Sequence, residues 1–145
     1  MATVWTIGYE RLLPEQLAAE LRAAGVERVI DVRFRPQSRR PGMSKTRLGA
    51  LLAAHGIAYE HRKALGTPPD LRHDFHKGRL EQARAGYRAH VLATAPDALA
   101  ALGDELEQGP RTALLCLEEE PAGCHRRVLT ELLREQRPHL DVVDL

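Results

Sequence analysis

The sequence predicts a single α/β domain, residues 1–145, in which a mainly parallel sheet carries helices on both faces. Short β-branched or apolar segments alternate with longer amphipathic segments along the whole chain. Strands separated by helices have room for the crossover connections that parallel pairing requires. The clearest strand, residues 112–117, is almost entirely apolar, as expected for a strand buried on both faces. A length of 145 residues is that of one domain, long enough to bury a core without metal or disulfide staples.

The predicted elements of the first half begin and end at residues with known local preferences. Pro14 suits the first turn of a helix, where its missing N–H is not needed. Gly25 and Gly56 favour the left-handed conformation that closes a helix. The predicted order is a strand at residues 4–7, a helix at 14–25, a strand at 29–32, a helix at 44–56 and a strand at 57–59.

The second half is predicted to begin with an irregular loop. Residues 64–78 contain the adjacent Pro68 and Pro69, and we expect no regular structure there. Loops of that length are often functional or mobile. Beyond the loop we expect helices at residues 80–91 and 99–106, separated by Pro96, then the strand at 112–117, a helix that begins near Cys124 and a strand at 140–143.

Composition narrows the class of protein. The chain is 43% hydrophobic and 28% charged, with a net charge of +1, so it is neither a polycation nor a disordered polyelectrolyte. Its apolar runs are too short to span a bilayer, and its first ten residues lack the basic start and apolar core of a secretory signal. Two cysteines make no disulfide framework. We therefore expect a cytoplasmic protein with free thiols and no membrane partner.

Polar residues follow the predicted strands, where a parallel sheet collects its ligands. Tyr9 follows the first strand, and Asp31 ends the second. Glu118 follows the apolar strand, and Cys124 and His125 open the next helix. Because the carboxyl ends of parallel strands share one edge, we expect one cleft there, with Asp31 at the same edge. The side chains expected to surround the cleft are Tyr9, Arg33, Glu118, Cys124, His125 and Arg126. Cys116, inside its strand, is expected to be more buried than Cys124.

The segment from Cys116 to Arg126 has the richest potential chemistry. A thiol at a helix N-terminus beside His125 and Arg126 should have a lowered pKa, and that N-terminus with Arg126 can hold a phosphate or carboxylate. His125 beside Glu118 is a natural acid–base pair. The alternative is that Cys124 only caps the helix and His125 is a surface side chain.

Residues 33–47, the basic loop, carry six basic side chains and no acidic one. We expect it to bind the phosphates of a substrate, because Arg offers planar paired donors. The candidate substrate-binding residues are Arg33, Arg35, Ser38, Arg39 and Arg40. Phe34 adds one ring for stacking. A solvated run of charge is the alternative, and Asp31 either orients a catalytic Arg or His or braces the loop.

Metal binding is only weakly indicated. Seven residues separate Cys116 from Cys124, unlike the close cysteine pairs of structural zinc sites. An oxygen–nitrogen site from Asp31, Glu118 and His125 is the other combination. We expect neither a metal nor a cofactor.

Several short motifs along the chain resemble those of domain-of-unknown-function family 488. The matching segments are Thr6-Ile7-Gly8, Asp31-Val32-Arg33 followed by Pro36, Ser38, Arg39 and Arg40, Leu65-Gly66, Leu115-Cys116 with Glu118, and Cys124-His125-Arg126. Tyr9 stands where many members have His, so a step that needs that imidazole would here use a phenol or be absent. The resemblance implies an α/β fold and these candidate residues, but no established reaction.

A fainter resemblance is to rhodanese-like sulfurtransferases. Residues 29–33 look like their Ile-Asp-Val-Arg strand, and Cys116 follows a central strand as their active cysteine does. The three glutamates at residues 118–120 would, however, repel an anionic sulfur or phosphate. Neither cysteine has the arginine six residues later that the Cys-x5-Arg phosphatase motif requires.

These observations favour an enzyme that acts on a phosphate-bearing substrate, a nucleic acid or a phosphorylated small molecule such as a nucleotide. In that interpretation Glu118 and His125 handle protons, Cys124 is a nucleophile or a structural thiol, and Tyr9, Asp31 and Arg126 complete the site. A sulfurtransferase-like or redox thiol enzyme is the second hypothesis. A non-catalytic nucleic-acid-binding module that uses the basic loop is the third.

Overall fold

Five parallel strands form one sheet in the computed structural model, which describes residues 2–118 and 123–145. The strands are β1 (Thr3–Gly8), β2 (Arg28–Asp31), β3 (Ala58–His61), β4 (Thr112–Cys116) and β5 (Asp141–Asp144). Their order across the sheet is β3-β2-β4-β1-β5, and every neighbouring pair runs parallel. The predicted parallel α/β architecture is therefore confirmed.

Helices cover both faces of the sheet. They are α1 (Pro14–Ala23), α2 (Lys45–Ala54), α3 (Pro69–His76), α4 (Leu80–Thr94), α5 (Pro96–Gln108) and α6 (His125–Gln136). One apolar cluster packs α1 and α2 against the sheet, and a second packs α3 to α6 against the opposite face. Within the described residues, no helix is long and apolar enough to cross a membrane.

Strand β4 is the centre of the core. All five of its residues are buried, and it pairs with β1 on one side and β2 on the other. Its side chains alternate between the two clusters, with Ala113 and Leu115 in one and Leu114 and Cys116 in the other. This alternation explains why the whole segment is apolar: neither of its faces meets water.

The predicted loop at residues 64–78 is the main error in the sequence-based assignment. The structure has a 3₁₀ turn at Lys63–Leu65 and the helix α3 in this range. Pro69 occupies the first helical turn, where a proline starts a helix rather than breaking one. Phe75 buries its ring in the core and ties α3 to the sheet.

One edge of the sheet collects the carboxyl ends of its strands. Gly8 pairs with Cys116, and Asp31 pairs with Leu115 and His61, so these strands end at nearly the same level. Helix α6 begins at this edge, with Cys124 as its N-cap residue. The chain therefore brings residues more than 100 positions apart to one place, as a parallel sheet predicts.

Candidate functional site

A cleft lies at the carboxyl edge of the sheet, beside the ends of β1, β2 and β4. The side chains predicted to surround one cleft that do line it are Tyr9, Arg33, Glu118, Cys124 and His125. The others that line it are Phe34, Arg35, Gln37, Thr67, Arg72, Phe75, Cys116 and Leu117. The parallel topology of the sheet therefore brings together most of the candidate site residues that the sequence indicated.

Cys116 and Cys124 are joined as a disulfide at the base of this cleft. The expectation of free thiols is therefore wrong for this structure. The end of β4 and the N-cap residue of α6 meet at the same sheet edge, which sets the two sulfurs side by side. Both residues are 1% exposed, so the expected difference in their burial is also absent.

His125 is a buried, neutral imidazole whose tautomer is set by the backbone. Its Nε2 lies 2.8 Å from the carbonyl oxygen of Val32. Because a carbonyl only accepts, Nε2 carries the proton and Nδ1 keeps its lone pair. Nδ1 lies 3.5 Å from Cys124 Sγ. Burial lowers the pKa of His125 to about 4, so the ring is uncharged near neutral pH. The alternative interpretation, in which His125 is a surface side chain, is therefore wrong.

Glu118 places a carboxyl group beside the cysteines. Its Oε2 lies 3.7 Å from Cys116 Sγ, and its Oε1 lies 4.0 Å from Nε2 of His76 on α3. Burial raises the pKa of Glu118, which the nearby charges of His76 and Arg72 only partly offset. Glu118 can therefore hold a proton more readily than an exposed glutamate. The neighbouring Glu119 and Glu120 lie outside the described residues.

Arg126 turns away from the cleft into the core. Its side chain is fully buried, and its guanidinium donates to Thr6 Oγ1 at 3.2 Å and to the backbone oxygen of Glu118 at 2.7 Å. These bonds hold the end of β4 against β1. The structure therefore places Arg126 beneath the site as a brace and not at its surface.

Asp31 and Arg33 form a buried ion pair next to the cleft. Asp31 is fully buried and accepts bonds from Nε and Nη2 of Arg33, at 2.9 Å and 2.7 Å, and from the hydroxyl of Tyr59. Nη1 of Arg33 also donates to the carbonyl of Met43 at 2.7 Å and to the hydroxyl of Tyr9 at 3.3 Å. Burial works to lower the pKa of Arg33, but Asp31 outweighs it and the net change is upward. The pair fixes the start of the basic loop.

Some of the other side chains of the basic loop form hydrogen bonds with the backbone of the protein. Arg40 donates to backbone oxygens that include those of Tyr9 and Leu12. Ser38 Oγ accepts from the backbone N–H of Arg40 at 3.0 Å. Arg35 and Arg39 are exposed, and of these two only Arg35 lines the cleft. Arg35 is therefore the candidate substrate-binding residue best placed to meet a ligand.

Sequence reasoning missed Thr67 and Arg72. Arg72 reaches the cleft from α3, so recognising Pro69 as a helix start would have revealed it. Thr67 is 4% exposed, and its hydroxyl has no hydrogen-bond partner within the part of the chain that the structure describes. Gly66, just before Thr67, lets the chain pass close to Phe34, because a Cβ at residue 66 would lie 2.5 Å from the backbone of Phe34.

Comparison with known proteins gives one match. The model of the family Domain of unknown function DUF488 matches residues 14–133. That range includes Asp31, Gly66 and both cysteines with His125, but not the segment that ends at Tyr9. No curated protein and no solved structure matches the chain. The family match covers well over half of the 145 residues, and the chain belongs to the family Domain of unknown function DUF488.

Proposed function

We propose that this protein is an enzyme that acts on a phosphate-bearing substrate, a nucleotide or nucleic acid, bound in the cleft at the carboxyl edge of the sheet. One observation carries the proposal. The cleft places Arg35 and Arg72, whose guanidinium groups make no hydrogen bond or ion pair within the described part of the chain, beside a buried group of reactive side chains.

The arginines and Thr67 form the anion-binding side of the cleft. A guanidinium binds a phosphate through two parallel hydrogen bonds, and Arg35 and Arg72 approach from different elements. The buried hydroxyl of Thr67 lines the same cleft and lacks a partner among the described residues. A buried polar group without a partner destabilises the fold, and a phosphate oxygen that accepts a hydrogen bond from the Thr67 hydroxyl would remove this cost.

An adjoining groove gives room for the remainder of a nucleotide. Phe34, His73 and His76 line it together with the same three anion-binding residues. The ring of Phe34 can stack against a base, and Lys63 lies 4.7 Å from that ring. The chemistry of the combined surface is that of a phosphate joined to an aromatic base.

The reacting groups lie on the inner side of the cleft. Nδ1 of His125 lies 3.5 Å from Cys124 Sγ, so in the reduced protein it can accept the proton of the Cys124 thiol. Burial raises the pKa of Glu118, which suits this carboxyl group to proton transfer better than an exposed glutamate. A thiol, a neutral imidazole and a carboxyl group are the components of nucleophilic and acid–base catalysis.

A redox thiol enzyme is the second candidate, because the two cysteines pair at the base of the cleft. In that case the disulfide and dithiol forms alternate during turnover, and the arginines bind an anionic disulfide substrate. The protein would then accelerate the reduction of a small aromatic disulfide by dithiothreitol above the uncatalysed rate, and Cys124→Ser would abolish that acceleration. The phosphate proposal expects no turnover in this assay.

Equilibrium binding of a labelled short oligonucleotide, with a nucleoside monophosphate as competitor, tests the proposal. Losing a hydrogen-bonded charge pair costs about 1.5–3 kcal/mol, so Arg35→Ala and Arg72→Ala should each weaken binding roughly tenfold or more. Arg134→Ala, an exposed arginine in the last turn of α6, is the matched control and should bind as wild type. Equal affinities in all four proteins, or no binding at low salt, would refute the proposal.

A further inference from the structure

Three donor atoms of the kind that hold transition metals meet at the base of the cleft. They belong to Cys116, Cys124 and His125, all buried, and lie within 4.8 Å of one another. We propose that the reduced protein binds one Zn²⁺-like divalent cation through both thiolates and Nδ1 of His125. This inference goes beyond the proposed function, because it depends on the donors and not on the substrate.

The spacing of the donors fits tetrahedral coordination. Zinc lies ~2.3 Å from thiolate sulfur and ~2.0–2.1 Å from imidazole nitrogen, so a tetrahedral angle sets sulfur and nitrogen about 3.6 Å apart. Nδ1 of His125 and Sγ of Cys124 are 3.5 Å apart. Little movement of this pair is therefore needed to place a cation between them.

A hydrogen bond to the backbone determines which nitrogen of His125 is available to a metal ion. Histidines that bind metals usually donate their other N–H to a carbonyl or carboxylate, which orients the ring. Nε2 of His125 donates to the carbonyl of Val32 at 2.8 Å. That bond leaves the Nδ1 lone pair directed toward the sulfurs.

The distance between the two cysteine backbones suits a bridging cation. The Cα atoms of Cys116 and Cys124 are 7.6 Å apart. Disulfides usually join Cα atoms ~4.4–6.8 Å apart, whereas a cation between two thiolates holds the sulfurs farther from each other. The disulfide and the metal site are alternative states, because a sulfur in a disulfide bond offers no thiolate.

The fourth coordination position faces the cleft. Three protein ligands with one open position are the pattern of catalytic zinc sites, and two cysteines with one histidine are a known set. Glu118 borders this position, with Oε2 3.7 Å from Cys116 Sγ. A cation on Nδ1 removes His125 from proton transfer, so Glu118 becomes the remaining proton carrier there.

Loading the full-length protein with Co²⁺ and Zn²⁺ tests the proposal directly. After reduction by a phosphine, which does not bind these cations tightly, the protein should retain about one cation per chain through gel filtration. Bound Co²⁺ should show thiolate-to-metal charge-transfer bands and the strong visible bands of a tetrahedral site. Cys116→Ser, Cys124→Ser and His125→Ala should each weaken binding at least tenfold, the effect typical of losing a coordinating group or its support. His139→Ala, at an exposed histidine outside the cleft and its adjoining groove, is the control and should bind as wild type.

Oxidation supplies a test that needs no substitution. Diamide takes one proton and one electron from each thiol and becomes the corresponding hydrazine as the sulfurs join. The oxidised protein should bind no cation, and reduction should restore binding. Reduced wild type that retains no cation, or Co²⁺ without thiolate bands, would overturn the metal site. Loss of oligonucleotide binding would refute only the proposed function, since metal stoichiometry does not depend on it.

Discussion

Replacing Asp31 with asparagine should destabilise the protein strongly while keeping its shape. Asparagine has nearly the same volume, so no cavity forms, but the buried guanidinium of Arg33 loses its counter-charge. Arg33 is 6% exposed, so water can compensate only a small part of the lost counter-charge. Removing one partner of a buried ion pair costs about 3–5 kcal/mol. We expect Asp31→Asn to lower the free energy of unfolding by that amount.

Urea unfolding, followed by the fluorescence of Trp5 and by circular dichroism, measures this loss. Tyr59→Phe removes one hydrogen bond to the same carboxylate and should cost about 1.5 kcal/mol. Adding Arg33→Met to Asp31→Asn should restore part of the stability, because no unpaired charge remains buried. A loss below about 1 kcal/mol for Asp31→Asn, or a double variant no more stable than the single one, would refute the buried-pair argument.

Three further predictions concern other residues. Thr67→Val should leave the free energy of unfolding nearly unchanged, because it removes a hydroxyl without a described partner, yet it should weaken oligonucleotide binding; unchanged binding would exclude Thr67 from the anion site. Hydrogen bonds from Arg62 lower the pKa of Glu105 below its usual 4.5, so the ionised carboxylate stabilises the fold above pH 4.5 and this stabilisation is lost as the pH falls further. Glu105→Gln should therefore flatten the acid end of a curve of unfolding free energy against pH. An unaltered curve would contradict the role of this ion pair. Arg39→Ala should reduce the salt dependence of oligonucleotide binding by about one phosphate contact. Arg40→Ala should mainly lower thermal stability, because Arg40 donates to backbone oxygens near the end of β1. The reverse pattern would refute these assignments of Arg39 and Arg40.

The architecture could be predicted from sequence because its signals are local. Pro14 and Gly25 mark the limits of the first helix, and the apolar run of β4 can only be a strand covered on both faces. Parallel topology then placed Tyr9, Glu118 and His125 at one edge without any contact information. Helix α3 is not predicted because a pair of prolines indicates a break in regular structure, although here the second proline begins the helix.

The roles of individual charged side chains could not be predicted in the same way. A run of arginines shows that positive charge is present, but not which guanidinium turns inward. Arg33 donates to the carbonyl of Met43, ten residues later, and Arg126 donates to Thr6, 120 positions earlier on another strand. His125 has the same difficulty, since its buried state depends on the carbonyl of Val32.

The central claim is that the cleft binds phosphate. A crystal structure of the reduced protein with a saturating nucleoside monophosphate tests it most directly. We expect the phosphate group between the guanidinium groups of Arg35 and Arg72, with an oxygen accepting from Thr67 Oγ1, and the base against Phe34. A phosphate bound elsewhere, such as on Lys45 and Arg47 of the basic loop, or a cleft without nucleotide at saturation, would contradict the claim.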